Sequence, residues 1–315
     1  MEVLGSEWKH PVACASGVLG SNAPGMMTAA SMGASAIFTK TVTPDPRPGH
    51  PGPCYVDLVD EEGYAMNAMG LPNPGPEVMA EEVSSFREAY PEVPVYCSVS
   101  AEDPDGFARV AATLSEVSDG VEINVSCPHA GAGMGAELGS DPNAVEEVVS
   151  AVVSSVDVPV SVKLTPNVDR RTLLEVAEKA VDAGADALTA VNTLGPGLRI
   201  DPTTRSPVLG AGVGGISGPA LKPVALRIVA DVALHLGDDV EIIGVGGVSK
   251  GRDVVEFLMA GAKAVQMGTA TRDRTFHEVA LETERLLEEL ELTWEEAIGA
   301  ALDSYERALR RLGWA

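Results

Sequence analysis

A chain of 315 residues, 45% of them hydrophobic, can bury a large core, and α/β barrels reach this length as one domain. Its 46 acidic residues against 22 basic ones leave a formal charge of −24, which argues against nucleic acid and anionic membranes as partners. Four cysteines without a CxxC pair, no signal segment and no apolar run of transmembrane length point to a soluble, reduced, cytoplasmic protein in which no metal site is expected.

In chain order, short β-branched runs predict strands near 12–15, 35–39, 94–99, 121–125, 158–163, 186–191, 241–245 and 264–267. Most lack polar–apolar alternation, as strands covered on both faces do. Amphipathic helical patterns lie between them. Over 170–183, Leu173, Leu174, Val176, Ala177, Ala180 and Val181 recur at spacings of three and four. Ser249 is placed to cap the helix after the seventh strand. Thr275 with Glu278 spells a capping box before the last barrel helix, and Thr293 with Glu296 repeats it for an extra C-terminal helix. The alternation predicts one (β/α)8 TIM barrel over residues 1–315, with a doubly wound open sheet as the alternative. Two connections, 41–75 and 192–216, are too long to be simple turns, and long ordered loops in compact domains are usually functional.

Active sites of such barrels lie at the C-terminal ends of the strands. The sequence places Ala15-Ser16-Gly17 after strand one and Lys40 after strand two. Asn124 ends strand four, Cys127 lies beyond it, Lys163 ends strand five, and Asn192-Thr193 follow strand six. Gly246-Gly247 and Gly268-Thr269 follow strands seven and eight, and the first long loop carries Asn67, Met69, Gly70 and Leu71.

Glycines after the last two strands let backbone N–H groups approach an anion such as a cofactor or sugar phosphate, although glycines also make turns. Gly214 to Gly218 could add donors at the start of helix six. Lys163 stands inside the apolar run VSVKL, where burial demands an anionic partner. It could stabilise charge on a reduced flavin, form a Schiff base, or reach solvent from the strand end; Lys40 invites the same comparison. Cys14 and Cys97 read as small core residues and Cys54 as a loop passenger. Cys127 differs, because Pro128 and a glycine-rich stretch that could move as a lid follow it; its thiolate could be a base or a nucleophile. Asn67, Asn124 and Asn192 both donate and accept, which suits a flat polar ring such as a pyrimidine, whereas any one alone could brace a turn.

Ala15-Ser16-Gly17, the KTVT run from Lys40, NAMGLPNPG at 67–75, NVSCP at 124–128, KLTPN at 163–167, NTLGPG at 192–197, GGISGPALKP at 214–223, GVGG and MGTA together resemble the dihydroorotate dehydrogenases. The resemblance covers residues 13–270. It implies FMN at the barrel mouth, its phosphate on Gly246, Gly247, Gly268, Thr269 and the backbone near Gly218. Ala15, Ser16, Gly17, Lys40, Asn124 and Lys163 would contact the flavin. Lys40, Asn67, Met69, Gly70, Leu71, Asn124, Asn192 and Thr193 would hold dihydroorotate. Cys127 would take the C5 proton while hydride leaves C6 for the flavin, giving orotate for pyrimidine (UMP) biosynthesis.

A cysteine at the base position, and a first strand close to the start of the chain, are similar to the soluble class of that family. NTLGPG and GGISGPALKP resemble its NAD-linked subgroup, with the fumarate-using subgroup as the alternative. NAD-linked members pair with a subunit carrying FAD and an iron–sulfur cluster, so a homodimer or a heterotetramer is expected. His129 stands where the family often has Asn, which puts one substrate hydrogen bond in question. The run SCPH is also similar to the pyrimidine-reducing domain of dihydropyrimidine dehydrogenases, which would imply a uracil-type substrate. A phosphosugar aldolase or isomerase barrel using Lys163, and a non-catalytic ligand-binding barrel, are the readings from other classes.

Overall fold

The computed structural model describes residues 1–125 and 138–314. The β-branched runs form eight parallel strands: β1 (Val12–Cys14), β2 (Ile37–Phe38), β3 (Val95–Val99), β4 (Gly120–Asn124), β5 (Val160–Leu164), β6 (Ala187–Ala190), β7 (Glu241–Val245) and β8 (Ala264–Met267). They pair in sequence order and close, β8 against β1, so the barrel is the architecture and the open sheet is not. Helices cover its outside: α1 (Ala23–Ser31), α2 (Pro76–Ala89), α3 (Pro104–Ser115), α4 (Pro142–Val153), α5 (Arg170–Asp182), α6 (Lys222–Leu236), α7 (Gly251–Met259) and α8 (Phe276–Glu289).

Side chains alternate across each strand, so every strand feeds two cores. Outward positions such as Val121, Ile123, Val160, Val162 and Leu164 join the apolar layer under the helices. Inward positions change character along the barrel axis. At the bottom, Ala13, Phe38, Tyr96, Ala187, Ile243 and Ala264 pack on Val3, Leu4 and Trp8 from an N-terminal hairpin. The Trp8 indole donates to the Tyr96 hydroxyl at 3.1 Å, which satisfies the one polar atom of a fully buried ring. Higher up, the inward side chains are buried and polar: Ser98, Glu122, Ser161, Lys163, Thr189 and Gln266.

The helices begin where the sequence supplies caps. Asn22, Asp103, Asp141 and Asp169 accept hydrogen bonds from the first-turn backbone of α1, α3, α4 and α5. Thr275 and Glu278 form the expected capping box of α8. Two expectations need correction. Lys250, not Ser249, takes the cap position of α7, because the Asp253 carboxylate reaches back to the N–H groups of both Ser249 and Lys250. The Thr293–Glu296 box opens only the single turn Trp294–Ala297; Ile298 is extended and Gly299 sits at φ 74°, so the C-terminal helix α9 (Leu302–Leu312) starts afresh. Tyr305 of α9 donates to buried Asp231 of α6 at 3.0 Å, which docks this helix on the barrel.

The two long connections are not independent loops. Tyr55–Leu58 and Tyr64–Asn67 of the first pair with Gly214–Ser217 and Leu194–Gly197 of the second, giving one four-stranded antiparallel sheet beside the barrel mouth. The Arg199 guanidinium adds an ion pair to Glu62 and donates to the Tyr64 hydroxyl at 3.0 Å. Among the described residues, no helix is long and apolar enough to cross a membrane, and no group of three or more His, Cys, Asp or Glu could hold a metal ion.

His10, beside β1, makes stability depend on pH. Its ring lies 2.9 Å from the Gly33 carbonyl and accepts from the Val12 N–H at 3.3 Å, and burial lowers its pKa from 6.5 to about 4. The unfolded chain therefore binds the proton more readily. The stability contribution, roughly 3 kcal/mol, is full above pH 6.5 and is lost as pH falls toward 4. Thermal melts across that window should show the fall in the wild type and a flatter response in His10→Gln. Equal slopes would remove His10 as the cause.

Candidate active site

A cavity of about 520 Å³ opens at the C-terminal ends of the strands, between the barrel and the antiparallel sheet. Parallel register sets its floor. Asn124 on β4 pairs with Lys163 on β5, so both inward side chains stand at one level, and both line the cavity. A polar chain crosses this level. The Thr41 and Ser98 hydroxyls are 3.0 Å apart, and the Asn124 amide donates to Thr41 at 3.0 Å. The Asn192 amide donates to Asn124 Oδ1 at 3.4 Å, while Asn192 Oδ1 accepts from the Thr193 N–H at 2.8 Å. The asparagines are thereby held in fixed orientations by their neighbours rather than by solvent.

Lys163 finds the anionic partner that its burial demands. Its ammonium lies 3.3 Å from Glu122 Oε1, with side-chain exposures of 7% and 0%. Gln266 completes the group, accepting from Lys163 at 3.3 Å and donating to Glu122 Oε2 at 3.0 Å. The solvent-reaching reading of Lys163 is thus set aside. Lys40 comes to the cavity from the other side, near Gly17: a Cβ on that glycine would lie 3.8 Å from the Lys40 ammonium nitrogen. Ala15 and Ser16 line the same wall.

The glycine end is built by close approach. Gly247 has φ 78°, and a Cβ there would stand 2.8 Å from the Gly218 carbonyl oxygen and 3.1 Å from the Lys222 N–H nitrogen. The turn after β7 therefore rests directly on the turn that enters α6. Among the described residues, no backbone acceptor meets the N–H groups of Gly247 and Gly268. Thr269 places its hydroxyl 3.0 Å from that of Ser217, joining the loop after β8 to the antiparallel sheet. Such a donor set beside a helix start suits an anion.

The rim comes from the first long connection. Asn67 ends a strand of the antiparallel sheet, followed by exposed Met69 and by Gly70 and Leu71, both in the left-handed region at φ 73° and 55°. A bulky residue such as leucine adopts that conformation at a cost, and such strain concentrates at functional sites.

Every residue that the sequence assigned to cofactor or substrate and that lies among the described residues lines this one cavity, whereas Gly214, Gly215 and Ile216, expected as donors at the start of helix six, form a strand of the antiparallel sheet. Cys127 and His129 lie outside the described residues, as does most of the glycine-rich stretch after them. Sequence reasoning missed Glu122 and Gln266. It also missed Arg272, which lines the cavity and pairs with Asp57 at 2.6 Å, Asp60 at 2.7 Å and Asp273 at 2.5 Å. Arg272 thereby ties the loop after β8 to the antiparallel sheet. The residues present fit a planar ligand with an anionic tail: carboxamides and lysines around the floor, backbone donors at one end.

Comparison with known proteins agrees in extent. The family profile described as Dihydroorotate dehydrogenase matches residues 1–290. A Methanopyrus kandleri protein named "Dihydroorotate dehydrogenase B (NAD(+)), catalytic subunit" is 66% identical over 315 residues, covering 100% of this chain and 98% of that one. Proteins of the same name from Methanothermobacter thermautotrophicus and Pyrococcus abyssi are 48% identical over 264 residues and 43% identical over 308. These matches cover 84% of both chains in the first case, and 96% of this chain and 98% of the relative in the second. On the closed barrel, its mouth and these full-length matches, the chain belongs to the dihydroorotate dehydrogenase family.

Proposed function

We propose that this chain is the catalytic subunit of a B-type, NAD-linked dihydroorotate dehydrogenase, oxidising (S)-dihydroorotate to orotate in pyrimidine biosynthesis with FMN as cofactor. The observation that carries the reading is convergence: residues from the strand ends and from both long connections surround one cavity whose donors suit a flat heterocycle and a phosphate. The names of the full-length relatives supply the substrate.

In this reading Gly218, Gly246, Gly247, Gly268 and Thr269 hold the phosphate, and Ala15, Ser16, Gly17, Lys40, Asn124 and Lys163 hold the flavin ring. FMN held there would supply the acceptor for the hydride on C6 of dihydroorotate. Asn67, Asn124, Asn192 and Thr193 orient the substrate through its carbonyl and N–H groups, with Lys40, Met69, Gly70 and Leu71 completing the pocket. The Cys127 thiolate removes the C5 proton, which the neighbouring carbonyl acidifies. The relatives' names denote a catalytic subunit, and so another subunit in those proteins. We assign that role here to a partner carrying FAD and an iron–sulfur cluster, within a cytoplasmic assembly of homodimer or heterotetramer type.

The test is a visible spectrum of the purified protein, recorded anaerobically before and after adding dihydroorotate. The expected result is a yellow protein whose flavin band bleaches. Bleaching by a dihydrouracil and not by dihydroorotate would move the substrate to the dihydropyrimidine class. A colourless protein that cannot be reconstituted with FMN would overturn the flavoenzyme reading.

A further inference from the structure

Glu122 and Gln266 have no part in the chemistry above, yet both side chains are fully buried inside the barrel and close a ring with Lys163. Only one orientation of the Gln266 amide serves both neighbours: its oxygen toward the ammonium at 3.3 Å, its nitrogen toward the carboxylate at 3.0 Å. The three side chains come from β4, β5 and β8, so the barrel's closure itself assembles them. An ammonium has three donors, and among the described residues Glu122 and Gln266 take two. Lys163 lines the cavity, where the remaining donor can serve a ligand.

The charges of this ring cancel: one ammonium, one carboxylate and one neutral amide. In a water-poor interior an uncompensated charge acts strongly on its surroundings. A lone Lys163 ammonium would favour whichever redox state of a bound cofactor carries more negative charge, and the Glu122 carboxylate opposes that bias. We propose that Glu122 and Gln266 are positioning residues for Lys163, and that Glu122 holds down the reduction potential of the flavin bound in the cavity. This inference rests on the flavin reading of the site.

The experiment is an anaerobic redox titration of the FMN-loaded protein and two variants. Glu122→Gln keeps side-chain volume and an oxygen acceptor for Lys163 but leaves the ring at charge +1. It should shift the oxidised-to-reduced equilibrium roughly ten-fold toward the reduced form, about 30 mV upward for a two-electron couple. Gln266→Glu adds a second carboxylate and should move the potential downward. A purely structural role predicts weaker flavin retention in both variants without opposed potentials. Should Glu122→Gln fail to fold, the direction of the Gln266→Glu shift decides alone. Potentials equal to the wild type, or shifts of the same sign in both variants, overturn the inference while leaving the flavin reading intact. A wild type that binds no FMN overturns the reading of the site and this inference with it.

Discussion

Replacing Cys127 by alanine is expected to leave a yellow protein that has lost most of its turnover, on the order of 10²–10⁴-fold, the usual contribution of a positioned base. A thiolate base needs a thiol that can ionise within reach of the substrate. Cys14 and Cys97 are fully buried among apolar side chains, and burial pushes each thiol up to about 12. Cys54 instead donates its S–H to the His50 carbonyl at 3.1 Å. Cys127 follows the strand that delivers Asn124 to the cavity, and no apolar strand surrounds it in the sequence. Steady-state dihydroorotate oxidation with an artificial acceptor checks this. Wild-type turnover should rise with pH as the thiol ionises, around 8.5 for an unperturbed cysteine, and Cys127→Ala should lose that limb. Its FMN content should stay at the wild-type level, and Cys54→Ala should behave as wild type. Full activity in Cys127→Ala would remove this residue as the base.

Lys163→Ala should fail in two separable ways. The first is stability. Without the ammonium, the Glu122 carboxylate is left fully buried with, among the described residues, only the Gln266 amide against it. Breaking one side of a buried pair costs about 3–5 kcal/mol, a fall in melting midpoint on the order of 10 °C. The second is the cofactor: FMN should bind more weakly or be reduced more slowly by dihydroorotate. The double variant Lys163→Met with Glu122→Leu separates them, because removing both charges restores packing without restoring a donor. Differential scanning calorimetry should show recovery of the midpoint in the double variant, while stopped-flow flavin reduction stays slow. A single variant that melts like the wild type and reduces its flavin at the wild-type rate would contradict both roles.

Much of this was legible in the sequence, for reasons that can be named. Strand positions followed from β-branched runs, and each predicted run overlaps a barrel strand, with its ends within two residues of the observed ones. The mouth followed from strand order alone, since a closed parallel barrel puts every strand's C-terminal end on one side. What escaped was long-range pairing. Nothing local in Tyr55–Leu58 or Gly214–Ser217 announces that segments some 150 residues apart form one sheet; proline- and glycine-rich connections read as loops. Glu122 escaped because most strands, β4 among them, were read as lacking polar–apolar alternation. In fact GVEIN and VSVKL alternate, with valines, isoleucine and leucine outward and Glu122, Asn124, Ser161 and Lys163 inward. A glutamate two positions before Asn124 therefore had to share its face, and that was the available signal. Arg272 carried no such mark, because its partner Asp60 stands 212 residues away in the sequence and Asp57 lies beside it.

With Trp8, Phe38 and Tyr96 packed across its lower end, the barrel is closed there, and among the described residues its cavity opens at the C-terminal ends of the strands. Occupancy of a cul-de-sac is ordered by depth: what rests near Lys163, 6% exposed, must arrive before what rests near Met69, 36% exposed, and can depart only after it. On the proposed function, a deep cofactor would then be a long-term resident, and a shallow substrate would be exchanged in every cycle. In that case exchange at the threshold, near Met69, sets the pace at which the barrel can be refilled.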